Sequence, residues 1–92
     1  LFALTVNGDS MIDSYIADGD MVLMEPVNDP SRLRNGTVVS AMVPGLGTTL
    51  KHFFREGSLV RLEAANAAYD PIEIDAEQVH VQGKLAAVWR KT

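Results

Sequence analysis

Residues 37–55, TVVSAMVPGLGTTLKHFFR, carry the pattern that decides the fold. Residues 37–43 read as a strand, Pro44-Gly45-Leu46-Gly47 as a turn, and residues 48–55 as the strand that returns. Alternation in the second strand puts Thr49, Lys51 and Phe53 on one face and Leu50, His52 and Phe54 on the other. A lysine therefore stands inside a strand, among apolar neighbours.

Working outward, the same signature repeats. Phe2, Leu4 and Val6 alternate with Ala3 and Thr5, and Asn7-Gly8 breaks that strand. Residues 9–17 (DSMIDSYIA) are too short and mixed for a long helix and suit one or two tight helical turns. Asp18-Gly19-Asp20 is a turn before the apolar run 21–24, and residues 28–36 form a polar loop around Pro30. Downstream, Glu56-Gly57 turns into a strand at 58–64, the loop AANAAYDP follows, and short strands are expected at 72–74 and 79–90. Gly83 interrupts the last of these, which marks a bulge or a close backbone approach. About seven short strands with one or two helical turns make an all-β domain, a sandwich or partly closed barrel, spanning 1–92.

Bulk composition narrows the function. Hydrophobic residues form 47% and charged residues 22% of the 92 residues, an ordinary globular balance. No apolar run is long enough to span a bilayer, so no membrane association is expected. Cysteine is absent, which excludes disulfides and thiolate nucleophiles and suits a reducing cytoplasm. His52 and His80 share no metal-ligand spacing, and Asp18-Gly19-Asp20 falls far short of a calcium loop, so neither metal nor cofactor is expected. The net charge of −4 repels phosphate backbones, so any grip on DNA is expected from a segment outside this chain.

Two residues could carry chemistry. Ser10, in Gly8-Asp9-Ser10-Met11, follows a strand end at a turn whose backbone N–H groups can converge on an oxyanion. Read alone, it suits better a serine that merely caps the next turn. Of the lysines, Lys91 is terminal and Lys84 reads as a strand-edge charge. Lys51 can lose hydration against its apolar neighbours, which lowers a lysine pKa, or can snorkel its head into water. Together Ser10 and Lys51 satisfy the needs of a Ser–Lys dyad, a turn-borne hydroxyl and a desolvated amine.

The order of blocks carries a resemblance. GDSMIDSYIADGDMVLME, RNGTVVSAMV, TTLKHFFREG and the pair NAAYDPIEI with VQGKLAAVWR cover nearly the whole chain. They resemble the C-terminal peptidase domain of LexA-type repressors, shared with UmuD and phage repressors and related to the signal-peptidase fold. The turn at 43–48 and the loop around Pro30 look longer than is usual there. The resemblance implies that Ser10 is the nucleophile, Lys51 the general base, and the Asp9 and Ser10 amides the oxyanion hole. It further implies an SOS-response repressor domain that cleaves its own chain when promoted by a RecA–ssDNA filament. A homodimer is expected, formed near the last strand where Trp89 lies, with operator DNA bound through an N-terminal domain outside this chain. The scissile Ala-Gly or Cys-Gly pair is expected upstream, since no such pair precedes Ser10. The alternative within the family is a UmuD-like polymerase accessory factor; signal peptidase and a catalytically inert dimerisation domain are the further readings.

Overall fold

The hairpin at the centre of the sequence is also central in the sheet. A computed structural model describes residues 1–91; Thr92, the last residue of the expected span, lies outside them. Seven strands form: β1 (Phe2–Thr5), β2 (Met21–Pro26), β3 (Thr37–Val43), β4 (Gly47–Glu56), β5 (Leu59–Glu63), β6 (Ile72–Asp75) and β7 (His80–Trp89). Single 3-10 turns cover Ile12–Ser14, Pro30–Arg32 and Ala76–Gln78. The all-β expectation of about seven strands with short helical turns holds. All seven pair antiparallel in one sheet of order β1-β2-β7-β3-β4-β5-β6. β1 and β6 are the edges, so the sheet stays open rather than closing as a barrel. Alternation reports which face a residue occupies, not its partner strand, and for that reason the sequence pattern left sandwich and barrel unresolved.

β3 and β4 pair without a register shift, with Thr37 opposite Phe53, Val39 opposite Lys51 and Ala41 opposite Thr49. Both faces of this hairpin are covered. Val39, Ala41, Val43 and Phe53 pack with Val60, Leu62 and Val81 in one cluster. Val38 and Leu50, which alternate to the other face, pack against a second cluster of Val6, Met11, Ile16, Val22 and Met24. Phe53 is 1% exposed, and burying a side chain of that size contributes roughly 1.5–3 kcal/mol.

β7 returns between β2 and β3, and so ties the first hairpin to the second. Register shifts leave Ala86 unpaired against β2 and Gln82 unpaired against β3. Gly83 is both things its sequence position suggests, since it adjoins the Gln82 bulge and a Cβ there would stand 2.7 Å from Phe2 Cζ and 3.0 Å from the Glu25 carbonyl oxygen. Lys84 needs a correction. It lies in a strand paired on both sides, not at an edge, with its ammonium 4.0 Å from Glu25.

Candidate active site

The loop between β1 and β2 carries Ser10 and is held in shape mostly by polar contacts. Gly8 breaks β1 with φ +90, a backbone conformation that glycine adopts without strain. Val6 N–H donates to the Asp20 carbonyl and Gly19 N–H returns to the Val6 carbonyl, both at 2.8 Å. Gly8 N–H donates to Asp18 Oδ1 at 2.7 Å and Ala17 N–H to Asp20 Oδ2 at 2.8 Å. The carboxylates of the Asp-Gly-Asp turn thus close the loop. Met11 and Ile16, 1% and 2% exposed, anchor it in the second apolar cluster.

Asp20 is buried and Arg90, just past the end of β7, grips it from outside. The guanidinium donates to both carboxylate oxygens, at 2.8 and 2.7 Å, and to the Tyr15 carbonyl at 3.1 Å. The Arg90 hydrogen bond first, and the Ala17 amide second, hold the Asp20 carboxyl down to about 2. Nothing in the sequence pattern signalled this pair, because 70 residues separate its members.

Lys51 meets Ser10 from the sheet side. Its side chain folds back along β4, and Nζ lies 3.0 Å from Ser10 Oγ, 2.7 Å from Thr49 Oγ1 and 3.1 Å from the Leu50 carbonyl oxygen. Lys51 is 8% exposed, and burial pushes its ammonium below the ordinary lysine value of 10.5. No carboxylate is bonded to it among the described residues, so no opposite charge offsets the loss of hydration. Three acceptors match the three protons of an ammonium. They also suit a neutral amine, whose two N–H groups serve Leu50 O and Thr49 Oγ1 while its lone pair accepts the Ser10 hydroxyl proton.

The two groups open on a cavity of about 460 Å³ whose lining includes Leu4, Val6, Thr49 and Tyr69. Among the described residues the N–H groups of Asp9, Ser10 and Met11 have no hydrogen-bond partner, so they remain free to receive an oxyanion. His52, next to Lys51, turns to the other face as its alternation requires. Its Nδ1 donates to the Gly36 carbonyl at 2.8 Å, and in the neutral ring Nε2 accepts from Ser14 Oγ at 2.9 Å. It braces the loop and does not reach Ser10 Oγ.

The structure therefore brings Ser10 and Lys51 together across 41 residues of sequence and places Asp9 beside them. Sequence reasoning missed Asn66 and Tyr69, which bond to Asp9. Both lie in the block NAAYDPIEI, whose composition marks a loop without saying what the loop touches.

The family model described as Peptidase S24-like matches residues 1–86. Proteins named LexA repressor are similar over nearly the whole chain. That of Koribacter versatilis (strain Ellin345) is 46% identical over 91 residues, 99% of this chain and 42% of that protein. That of Novosphingobium aromaticivorans is 48% identical over 90 residues, 98% of this chain and 37% of the relative. That of Zymomonas mobilis subsp. mobilis is 40% identical over 90 residues, 98% and 40% respectively. The chain thus spans about two fifths of the length of the curated relatives it matches.

Proposed function

Because this chain belongs to the S24-like peptidase family, we propose that it is the self-cleaving domain of a LexA-type repressor, with Ser10 as nucleophile and Lys51 as general base. The observation that carries the proposal is the 3.0 Å approach of a buried, carboxylate-free lysine to a turn-borne serine at the mouth of a cavity. Neutral Lys51 takes the Ser10 proton as Oγ attacks the scissile carbonyl, and the Asp9 and Ser10 N–H groups receive the oxyanion. Collapse of the tetrahedral intermediate breaks the C–N bond, and protonated Lys51 gives its proton to the leaving amine. Water then attacks the Ser10 ester, Lys51 accepts its proton, and the ester oxygen recovers it as the acid product leaves.

Whole-protein properties follow from the same reading. Cleavage would separate an operator-binding segment from this domain, inactivating a cytoplasmic SOS-response repressor, and a RecA–ssDNA filament would promote it by favouring the docked substrate. The names of the relatives favour the repressor over the UmuD-like factor. Homodimerisation is supported by two exposed apolar residues that pair across β2 and β7, Met21 and Trp89, at 37% and 56% exposure. The acidic balance of this chain fits a partner role for DNA only through another segment.

The test is cleavage of a peptide containing an Ala-Gly bond by this chain, followed by mass spectrometry across pH. Cleavage that rises with pH and vanishes in Ser10→Ala is expected. Equal cleavage by Ser10→Ala would remove the assignment.

A further inference from the structure

The loop 66–69 reaches the nucleophile turn and engages both acceptor groups of Asp9. Asn66 Nδ2 donates to the Asp9 carbonyl oxygen at 2.9 Å, and the Tyr69 hydroxyl donates to Asp9 Oδ1 at 2.5 Å. These contacts cross 57 and 60 residues of sequence, so tertiary structure and not local propensity makes them. The Asn66 amide has a defined orientation, because its Oδ1 accepts from Ala68 N–H at 2.9 Å while Nδ2 faces a carbonyl. A flipped amide would lose both bonds. Tyr69 N–H donates to the Asn66 carbonyl at 3.1 Å, so one tight turn presents both side chains.

We infer that Asn66 and Tyr69 are positioning residues that preset the oxyanion hole at Ser10, given the Ser–Lys assignment above, on which this depends. Asn66 acts on the peptide between Asp9 and Ser10. A trans peptide directs its C=O and N–H to opposite sides. With the Asp9 carbonyl committed to Asn66, and to Ile12 N–H at 3.2 Å, the Ser10 N–H is turned away from both and stays free. Tyr69 acts on the carboxylate. An aspartate that opens a tight turn ordinarily folds its side chain onto the backbone N–H groups that follow it. Asp9 opens the turn that its carbonyl closes with Ile12 N–H. Without Tyr69 its carboxylate would settle on the amides around Ser10, placing a negative charge where the oxyanion must form. The Asp9 hydrogen bond also raises the Tyr69 hydroxyl above its ordinary value of 10.0, which keeps this donor protonated at the alkaline pH that favours Lys51 as a base.

The test measures kcat and KM separately for this chain acting on the Ala-Gly peptide. Asn66→Asp keeps the acceptor for Ala68 and loses the donor to Asp9; it is expected to lower kcat about tenfold or more, with KM changed less than about twofold. Tyr69→Phe is expected to lower kcat about three- to tenfold, and adding Asp9→Ala to it should restore most of that loss, because no carboxylate remains to be restrained. A loop that merely stabilises the domain predicts instead a lower melting temperature and no rescue by Asp9→Ala, and that result overturns the inference. Wild-type kcat in Asn66→Asp and Tyr69→Phe, alongside an inactive Ser10→Ala, also overturns it and leaves the dyad standing. A wild-type chain as inactive as Ser10→Ala would remove both.

Discussion

Lys51 stands in a strand whose ladder to β3 runs unshifted from Thr37 and Phe53 to Val43 and Gly47, whereas Ser10 stands on a loop that side chains from distant segments hold in place. On the lysine side, position follows from backbone geometry, and apolar packing on both faces of the hairpin fixes it. On the serine side, Asp18 and Asp20 close the loop from within, while Arg90, His52, Asn66 and Tyr69 clamp it from without. A general base must keep a perturbed protonation state, which calls for a dry and unyielding setting. A nucleophile must face substrate, which calls for an exposed turn, and an exposed turn needs other means of staying rigid. The site joins a part that is rigid by folding to a part that is rigid by bracing.

The largest effect expected from this contrast is at Lys51 itself. Lys51→Met keeps an unbranched side chain of similar length and removes the amine. Peptide cleavage should fall on the order of 10⁴-fold or more, the scale seen when one member of a cooperating catalytic set is removed. Stability should hold or rise, because a buried amine with no carboxylate partner gives way to an apolar group and the β3–β4 ladder does not need the ammonium. Urea unfolding of the two chains checks this. A marked drop in midpoint would mean that the lysine side, too, is held by its polar contacts.

A smaller and slower loss is expected on the serine side in acid. Asp20 titrates at about 2 in the fold against an ordinary 3.8, so the folded carboxyl binds its proton less readily than the unfolded one. Its contribution is therefore complete above the ordinary value and is lost as pH falls from about 3.8 through about 2. Arg90→Ala takes the cation and its two hydrogen bonds from a carboxylate that is 3% exposed in the intact chain, which raises its pKa and moves the loss to higher pH. Amide exchange at Ala17 and Gly19, followed from neutral pH downward, should accelerate earlier in the variant while β3 and β4 amides stay protected. Equal acceleration in both regions would show that the loop and the sheet unfold as one unit.

The same division explains what could be read from the sequence. The period-2 alternation at 37–55 gave the hairpin, its faces and the enclosed lysine, since a strand's periodicity is a local property. β7's place between β2 and β3 is set by long-range pairing, and no local pattern distinguishes a strand that inserts centrally from one that caps an edge; Lys84 was misplaced for that reason. Ser10 could be singled out by its turn and by the blocks around it. Its braces could not, because a residue such as Asn66 looks like any loop asparagine until the fold sets it against Asp9. Thr49 is the intermediate case. Its spacing of two from Lys51 put both on one face, but the hydrogen bond between them needed the lysine to fold back along its own strand.

That bond gives the finest test, at the one point where the lysine side does use a side-chain brace. Thr49 Oγ1 accepts from Lys51 Nζ at 2.7 Å, and an acceptor bonded to an amine favours its charged form more than its neutral one. Burial lowers the Lys51 pKa; Thr49 works against burial. Thr49→Val, nearly the same in shape, removes the acceptor and should lower that pKa further. The pH–rate profile, which rises as Lys51 loses its proton, should then shift to lower pH, with a slightly lower plateau because a less basic amine is a weaker proton acceptor. Stability should respond with a definite sign. Between the folded pKa and 10.5 the unfolded chain binds more protons at this position than the folded one, so stability rises with pH across that interval. In Thr49→Val the interval should extend to lower pH. A profile that keeps its midpoint and loses only its plateau would mean that Thr49 aims the neutral amine at Ser10 without tuning it, which would make the lysine side braced in the same manner as the serine side.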